Sequence, residues 1–145
     1  MKTSDGLIQE ARAARLKAYV PYSQFRVGAA LVTRDGKIYH GCNVENASYG
    51  LTNCAERTAI FSAIADGQKP GDFVALAVVG ATAGPIAPCG ACRQVILELG
   101  GAGLQVILAN MDDAVELTTP ERLLPGAFSG ADLAAVEALQ IPGKA

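Results

Sequence analysis

Residues 73–108, FVALAVVGATAGPIAPCGACRQVILELGGAGLQVIL, decide the fold. Phe73 to Val79 is a continuous apolar run with β-branched content, the pattern of a strand buried on both faces. Gly90 to Leu99 reads as a helix stopped by Gly100-Gly101, and Leu104 to Leu108 reads as another buried strand. Strands that are apolar on both sides need helices on both sides.

The amino-terminal half supplies such elements. Residues 4 to 18 place Leu7, Ile8, Ala11, Ala14 and Ala18 at helical spacing, with Glu10, Arg12, Arg15 and Lys17 mostly elsewhere on the wheel, and Pro21 ends the segment. Phe25 to Thr33 reads as a strand, Asp35-Gly36 as a hairpin turn, and Lys37 to Val44 as the antiparallel return. Asn53 can cap a helix from about Cys54 to Asp66, which Gly67 closes. Toward the carboxyl end, Val115 to Thr118 is a short strand. Thr119-Pro120-Glu121 is an N-cap followed by Pro at the first helical position, and the tail can form a helix over Ala131 to Leu139. Strands that alternate with helices after an opening hairpin suggest a three-layer α/β/α sandwich on a mixed five-stranded sheet. No repeat or linker interrupts residues 1–145, so a single domain is expected.

Lys plus Arg number 12 against 14 Asp plus Glu, giving a net charge of −2 and a pI near 5.3. That balance lacks the positive field which neutralises a phosphate backbone, so no nucleic-acid polymer is expected as partner. Charged residues make up only 18% of the chain, against a usual ~25%, which suggests that part of the surface is covered in an oligomer. No apolar run reaches the ~18 residues of a membrane span, and Met1-Lys2-Thr3-Ser4-Asp5 has no apolar stretch behind it of the kind that targets export. The expected address is the cytoplasm, with no membrane partner.

In a reducing compartment the cysteines at 42, 54, 89 and 92 are metal ligands, nucleophiles or small core residues sooner than disulfides. Cys54-Ala55-Glu56 opens one expected helix and Pro88-Cys89-Gly90-Ala91-Cys92 opens the next. Backbone N–H groups and the helix dipole at such positions favour thiolate, the form that binds zinc. The Cys89/Cys92 spacing lets both sulfurs turn to one ion, although alone it fits a redox pair or two buried small residues equally well. Glu56 also has a bland reading, because Asn53 and Glu56 stand at capping-box spacing. Cys54 and Glu56 can serve one centre only if Cys54 lies at the helix cap, since positions i and i+2 diverge within a helix. Three protein ligands leave zinc an open position for water, whose pKa the metal lowers, and a carboxylate alongside can carry the proton. Three thiolates also leave the centre with excess negative charge, which Arg57 is placed to offset.

These residues resemble the small homotetrameric cytidine deaminases. The resemblance is carried by Pro21-Tyr22-Ser23 with Phe25-Arg26-Val27-Gly28-Ala29-Ala30, by Gly41-Cys42-Asn43-Val44-Glu45-Asn46-Ala47-Ser48-Tyr49, by Cys54-Ala55-Glu56-Arg57, by Pro88-Cys89-Gly90-Ala91-Cys92-Arg93-Gln94 and by Leu123-Leu124-Pro125-Gly126-Ala127-Phe128. Related enzymes that act on nucleotides or polynucleotides usually have His where this chain has Cys54, which favours the free-nucleoside branch. The resemblance implies one zinc ion per subunit on Cys54, Cys89 and Cys92, with Glu56 as the proton shuttle. It implies hydrolytic deamination of cytidine and 2′-deoxycytidine at C4, giving uridine or 2′-deoxyuridine and ammonia. It further implies substrate contacts from Phe25, Asn43, Glu45, Tyr49, Ala55 and Phe128, with Asn43 and Glu45 on the ribose, mainly its 3′-hydroxyl. Phe128 and Tyr49 are expected to act across subunit interfaces of a homotetramer.

Asn43 and Glu45 also have a reading of their own. Two apart on or just after a strand, they project to one face, where amide and carboxylate together can hold a hydroxyl, although a solvated strand end is the plainer account. Cys42 reads as a buried small residue, His40 as a surface or satisfied structural residue, Asp112-Asp113 as a solvated loop, and Arg93 and Gln94 as helix and interface residues. Three rival readings stay open: a deaminase of a nucleoside-like antibiotic such as blasticidin S, a non-enzymatic zinc-stabilised module, and a dithiol redox protein.

Overall fold

The computed structural model describes residues 3–138. Helix α1 (Ser4–Arg15) starts where the Thr3 side chain accepts from the Gly6 N–H, and it buries Leu7, Ile8, Ala11 and Ala14. It is shorter than its apolar stripe suggests, and Ala18 is buried beyond its end. Strands β1 (Val27–Thr33) and β2 (Ile38–Cys42) form the expected hairpin, followed by a short 3₁₀ turn at Tyr49–Leu51 and α2 (Ala55–Ala65). Then come β3 (Phe73–Gly80), α3 (Gly90–Gly100), β4 (Gln105–Ala109), β5 (Val115–Thr118), α4 (Pro120–Leu123) and α5 (Gly130–Ala138). Leu139, the expected end of the last helix, lies outside the described residues.

The sheet order is β2-β1-β3-β4-β5. Only β3 and β4 run parallel, joined by the crossover helix α3, while the other neighbours are antiparallel. The alternation of side chains sorts the core into two layers. Val27, Ala29 and Leu31 of β1 with Leu76 and Val78 of β3 pack under Ala59, Ile60 and Ala63 of α2 and Ile96 of α3. Ala30 and Val32, with Ala77, Val79 and Ile107, pack under Leu7, Ile8 and Ala11 of α1. The result is the expected α/β/α sandwich, with α1 on one face and α2 and α3 on the other.

Two close approaches seat the helices. A Cβ at Gly28 would fall 2.0 Å from Ala11 O of α1, and one at Gly41 would fall 2.2 Å from Ala55 O at the start of α2. Glycine at both positions lets helix backbone rest on strand backbone. The second contact matters for chemistry, because it fixes the amino end of α2 over β2.

Three local expectations need correction. Phe25 precedes β1 because Gln24 takes a left-handed turn, with φ 55°, that breaks the extended run. β2 ends at Cys42, short of the expected Val44, so Asn43 and Glu45 fall just after the strand, one of the two placements expected for them. Asn53 does not cap α2: Cys54 is the N-cap residue, and the Asn53 amide donates instead to Thr58 Oγ1 over 3.0 Å.

Candidate active site

With Cys54 at the cap of α2 and Cys89 at the cap of α3, two helix amino ends converge. Neither cysteine spends its sulfur on capping its own helix. Cys92 follows in the first turn of α3, fully buried. The sulfurs of Cys54, Cys89 and Cys92 lie within 4.8 Å of one another, and those of Cys54 and Cys89 are 3.7 Å apart. Thiolates at ~2.3 Å from a tetrahedral zinc sit roughly 3.8 Å from each other, so this donor set has both the chemistry and the spacing for that ion. Cys42, half-buried on β2, belongs to no such cluster among the described residues, which leaves three protein ligands and not four.

The electrostatics fit metal uptake. Hydrogen bonds from Cys92 first, and from Arg57 and Cys89 after it, hold the Cys54 thiol down at about 5. Cys92 is pushed the other way by its hydrogen bond to Cys54 and by burial, with Glu56 adding repulsion. Of this pair Cys54 therefore gives up its proton more readily than Cys92, and a dication held by all three sulfurs displaces the thiol protons that remain. Arg57 Nη2 donates to Cys54 Sγ over 3.3 Å, and the same sulfur strengthens the arginine's hold on its own proton.

Glu56 is 4% exposed, in the first turn of α2. Burial raises its carboxyl above the ordinary range, and the negative Cys54 adds to the effect. Because Cys54 and not Asn53 is the cap, the capping-box spacing does not apply, and Glu56 is free to face the cysteines.

A cavity of about 330 Å³ opens over these groups, lined by Phe25, Asn43, Thr52, Cys54, Ala55, Glu56 and Cys89 among others. Thr52 also lines an adjoining cavity of about 380 Å³ with Tyr22, Ser23, Glu45 and Tyr49. Tyr22 and Tyr49 meet edge to face there, with ring centroids 5.8 Å apart. The expected site residues therefore fall into two adjoining spaces, metal and acid in one, Glu45 and Tyr49 in the other. Phe128 lines neither. It is 61% exposed, and its carbonyl accepts from Gln94 Nε2 over 2.8 Å.

Asn43 and Glu45 both turn to the segment before β1. Asn43 Oδ1 accepts from the Val27 N–H over 2.9 Å, and its Nδ2 donates to Phe25 O over 2.7 Å. Glu45 Oε1 accepts from the amides of Tyr22 and Ser23, each over 3.0 Å, and Oε2 accepts from the Ser23 hydroxyl. Glu45 is thus no loosely solvated strand end. Ser23, Thr52, Thr82 and Ile86 are wall residues that sequence reasoning did not single out. Only Ser23 had a signal, its place in the Pro21-Tyr22-Ser23 segment. Arg93 ties the cysteine turn down, donating to Pro88 O and Leu123 O over 2.8 Å each. His40 pairs with Glu10 at 2.7 Å, away from this site.

An α/β/α sandwich with three thiols and a buried carboxylate at paired helix caps defines the class of zinc-dependent deaminases. Residues 1–108 match the cytidine and deoxycytidylate deaminase zinc-binding region. The chain belongs to that zinc-binding family, and its Cys54, Cys89 and Cys92 form a group able to hold a metal ion. It is 58% identical to a cytidine deaminase of Sporosarcina psychrophila over 127 residues, covering 88% of this chain and 92% of the relative. The crystal structure of cytidine deaminase from Burkholderia pseudomallei superposes with a TM-score of 0.87 at 66% identity, covering 88% of this chain and all of that one. A blasticidin-S deaminase of Bacillus cereus is more distant, 34% identical over 110 residues, or 71% of this chain and 76% of that relative. Among the described residues no helix is long and apolar enough to cross a membrane.

Proposed function

We propose that this chain, as one domain, deaminates cytidine and 2′-deoxycytidine hydrolytically, giving uridine and 2′-deoxyuridine with release of ammonia. The observation that supports this reading is a buried Glu56 carboxyl facing a three-thiol cluster in a cavity walled by Phe25 and Asn43. Bound by Cys54, Cys89 and Cys92, zinc supplies a Lewis acid that makes water available as a nucleophile near neutral pH.

The remaining work falls to side chains. Glu56 takes a proton from the attacking water and delivers it to ring N3, which makes C4 electrophilic. It then takes the proton of the newly added C4 hydroxyl and passes it to the 4-amino group, which leaves as ammonia as the C4–N bond breaks and the C4 carbonyl forms. Its raised affinity for protons suits a group that must both accept and donate. Arg57 offsets the excess thiolate charge through Cys54. Phe25 packs against the pyrimidine, and Ala55 borders it at a helix end whose N–H groups lack intrahelical partners. Asn43 and Glu45 hold the ribose, mainly its 3′-hydroxyl.

Tyr49 is 75% exposed and Phe128 is 61% exposed, and both fit a role across subunit interfaces. We accordingly read the working form as a homotetramer whose sites are completed by neighbouring chains. Reduced thiols as ligands suit the cytoplasm.

Ammonia release from a nucleoside panel that includes blasticidin S, run on the zinc-loaded protein and on Glu56→Gln, tests the reading. Cytidine turnover that needs both zinc and Glu56 supports it. Turnover of blasticidin S alone, or none, refutes it.

A further inference from the structure

The segment that carries Phe25 is held in a strained shape. Gln24 is the one non-glycine residue with positive φ among the described residues, at 55°. Such a conformation is sparsely populated for a residue with a Cβ and persists only where neighbours over-determine it. Val20 O, which accepts from the Gln24 N–H over 3.0 Å, and Asn43, whose Nδ2 donates to Phe25 O over 2.7 Å, hold the segment together with Ser23. The Ser23 hydroxyl donates to Glu45 Oε2 and accepts from the Phe25 N–H over 3.0 Å, spanning the strained residue. Its own N–H donates to Glu45 Oε1, as does that of Tyr22.

The same contacts can be counted from the carboxylate's side. A carboxylate offers about four lone-pair sites. Three of those on Glu45 are taken by Tyr22 N, Ser23 N and Ser23 Oγ. The open site is on Oε2, the oxygen that the Ser23 hydroxyl holds, and Glu45 lines the cavity next to the metal cluster.

We infer that Ser23 is a positioning residue: by occupying one side of Glu45 Oε2 it aims the last acceptor site of that carboxylate at a single sugar hydroxyl of the nucleoside. This rests on the reading of Glu45 as the ribose contact. Without the Ser23 hydroxyl, Oε2 has two open sites and can rotate to water, so the sugar hydroxyl loses a fixed partner while Glu56 and the metal ligands are untouched.

The test compares cytidine with 3′-deoxycytidine on the zinc-loaded wild type, Ser23→Ala, Ser23→Thr and Glu45→Ala, with zinc content and thermal unfolding measured for each. Ser23→Ala is expected to raise KM for cytidine about tenfold with kcat within about twofold of wild type. It should change KM for 3′-deoxycytidine less than about threefold, and Ser23→Thr, which keeps the hydroxyl, should restore the cytidine value. If Glu45→Ala penalises cytidine but spares 3′-deoxycytidine, while Ser23→Ala penalises both equally or neither, the role of Ser23 is overturned and that of Glu45 stands. If Glu45→Ala penalises both substrates equally, the ribose reading fails and this inference falls with it. A Ser23→Ala protein that has lost zinc is replaced by Ser23→Thr as the deciding variant, for which a tenfold rise in KM for cytidine overturns the proposal.

Discussion

Gly41 of β2 lies directly against the backbone of Ala55, so closely that a Cβ at residue 41 would come within 2.2 Å of Ala55 O. That contact sets the height of the amino end of α2, and with it the positions of Cys54 and Glu56. Gly41→Ala is expected to push α2 off the sheet at a cost of about 1–3 kcal/mol, as overpacking of a core contact does. It should also weaken zinc binding although no ligand is changed. Chelator competition on the variant, alongside thermal unfolding, checks both, and unaltered zinc affinity would count against this seating role.

Arg57 acts on the metal site through Cys54 Sγ, its donor partner at 3.3 Å. Loss of groups that support metal ligands costs roughly 10–100-fold in affinity or activity. Arg57→Ala should fall in that range in zinc affinity, turnover or both. Unchanged zinc retention together with an unchanged rate would remove the proposed charge-balancing role.

Glu56→Gln is expected to lower kcat by about 10²–10⁴-fold while retaining zinc, the range that general acid–base groups supply. It should also stabilise the metal-free protein at neutral pH. Burial raises the Glu56 carboxyl, so its contribution to stability is fully present below the ordinary carboxylate value and is lost as pH rises through its folded value. The glutamine variant has no such loss. Melting curves of metal-free wild type and variant should therefore converge in acid and separate toward neutrality, with the variant melting higher.

Cys54 in the metal-free protein is a thiolate down to about 5, held there by hydrogen bonds from Cys92 and Arg57. Iodoacetamide at pH 6 should label Cys54 readily, and well ahead of Cys92, whose thiol is pushed up. Labelling should fade as pH drops through about 5, and zinc should protect the residue. Peptide mass spectrometry reads the outcome. Labelling of Cys54 that sets in only in the ordinary thiol range, or labelling of Cys92 ahead of it, would contradict it.

Phe128 is exposed and lines neither the cavity over the cysteine cluster nor the one beside Glu45. If it completes a neighbour's site, Phe128→Ala and Glu56→Gln proteins, each crippled alone, should regain activity when dissociated and reassembled together. Some mixed sites then hold an intact glutamate and a borrowed phenylalanine. No gain on mixing would show that Phe128 acts within its own chain.

Most elements were legible because their signals are local. The apolar runs at 73–79 and 104–108, the Asp35-Gly36 turn and the Thr119-Pro120 cap state their own conformations within a few residues, and β5 falls where its sequence says. Boundaries slipped where a neighbouring backbone conformation or a side-chain bond overrode the residue pattern. The Phe25 end of β1 was lost to the left-handed Gln24, and the cap of α2 moved from Asn53 to Cys54 because Thr58 takes the Asn53 amide.

The sequence alone determined which residues are suited to hold a metal and carry a proton. Thiols and a carboxylate at helix amino ends have that chemistry whatever surrounds them. Only the tertiary structure decided that Glu45 and Ser23 grip each other across 22 residues, that Asn43 binds the backbone on either side of Arg26, and that Glu45 and Phe25 line separate cavities. Hydrogen bonds between side chains and distant backbone depend on where two strands and a turn cross. That crossing is a property of the packed sheet and leaves no periodic trace along the chain.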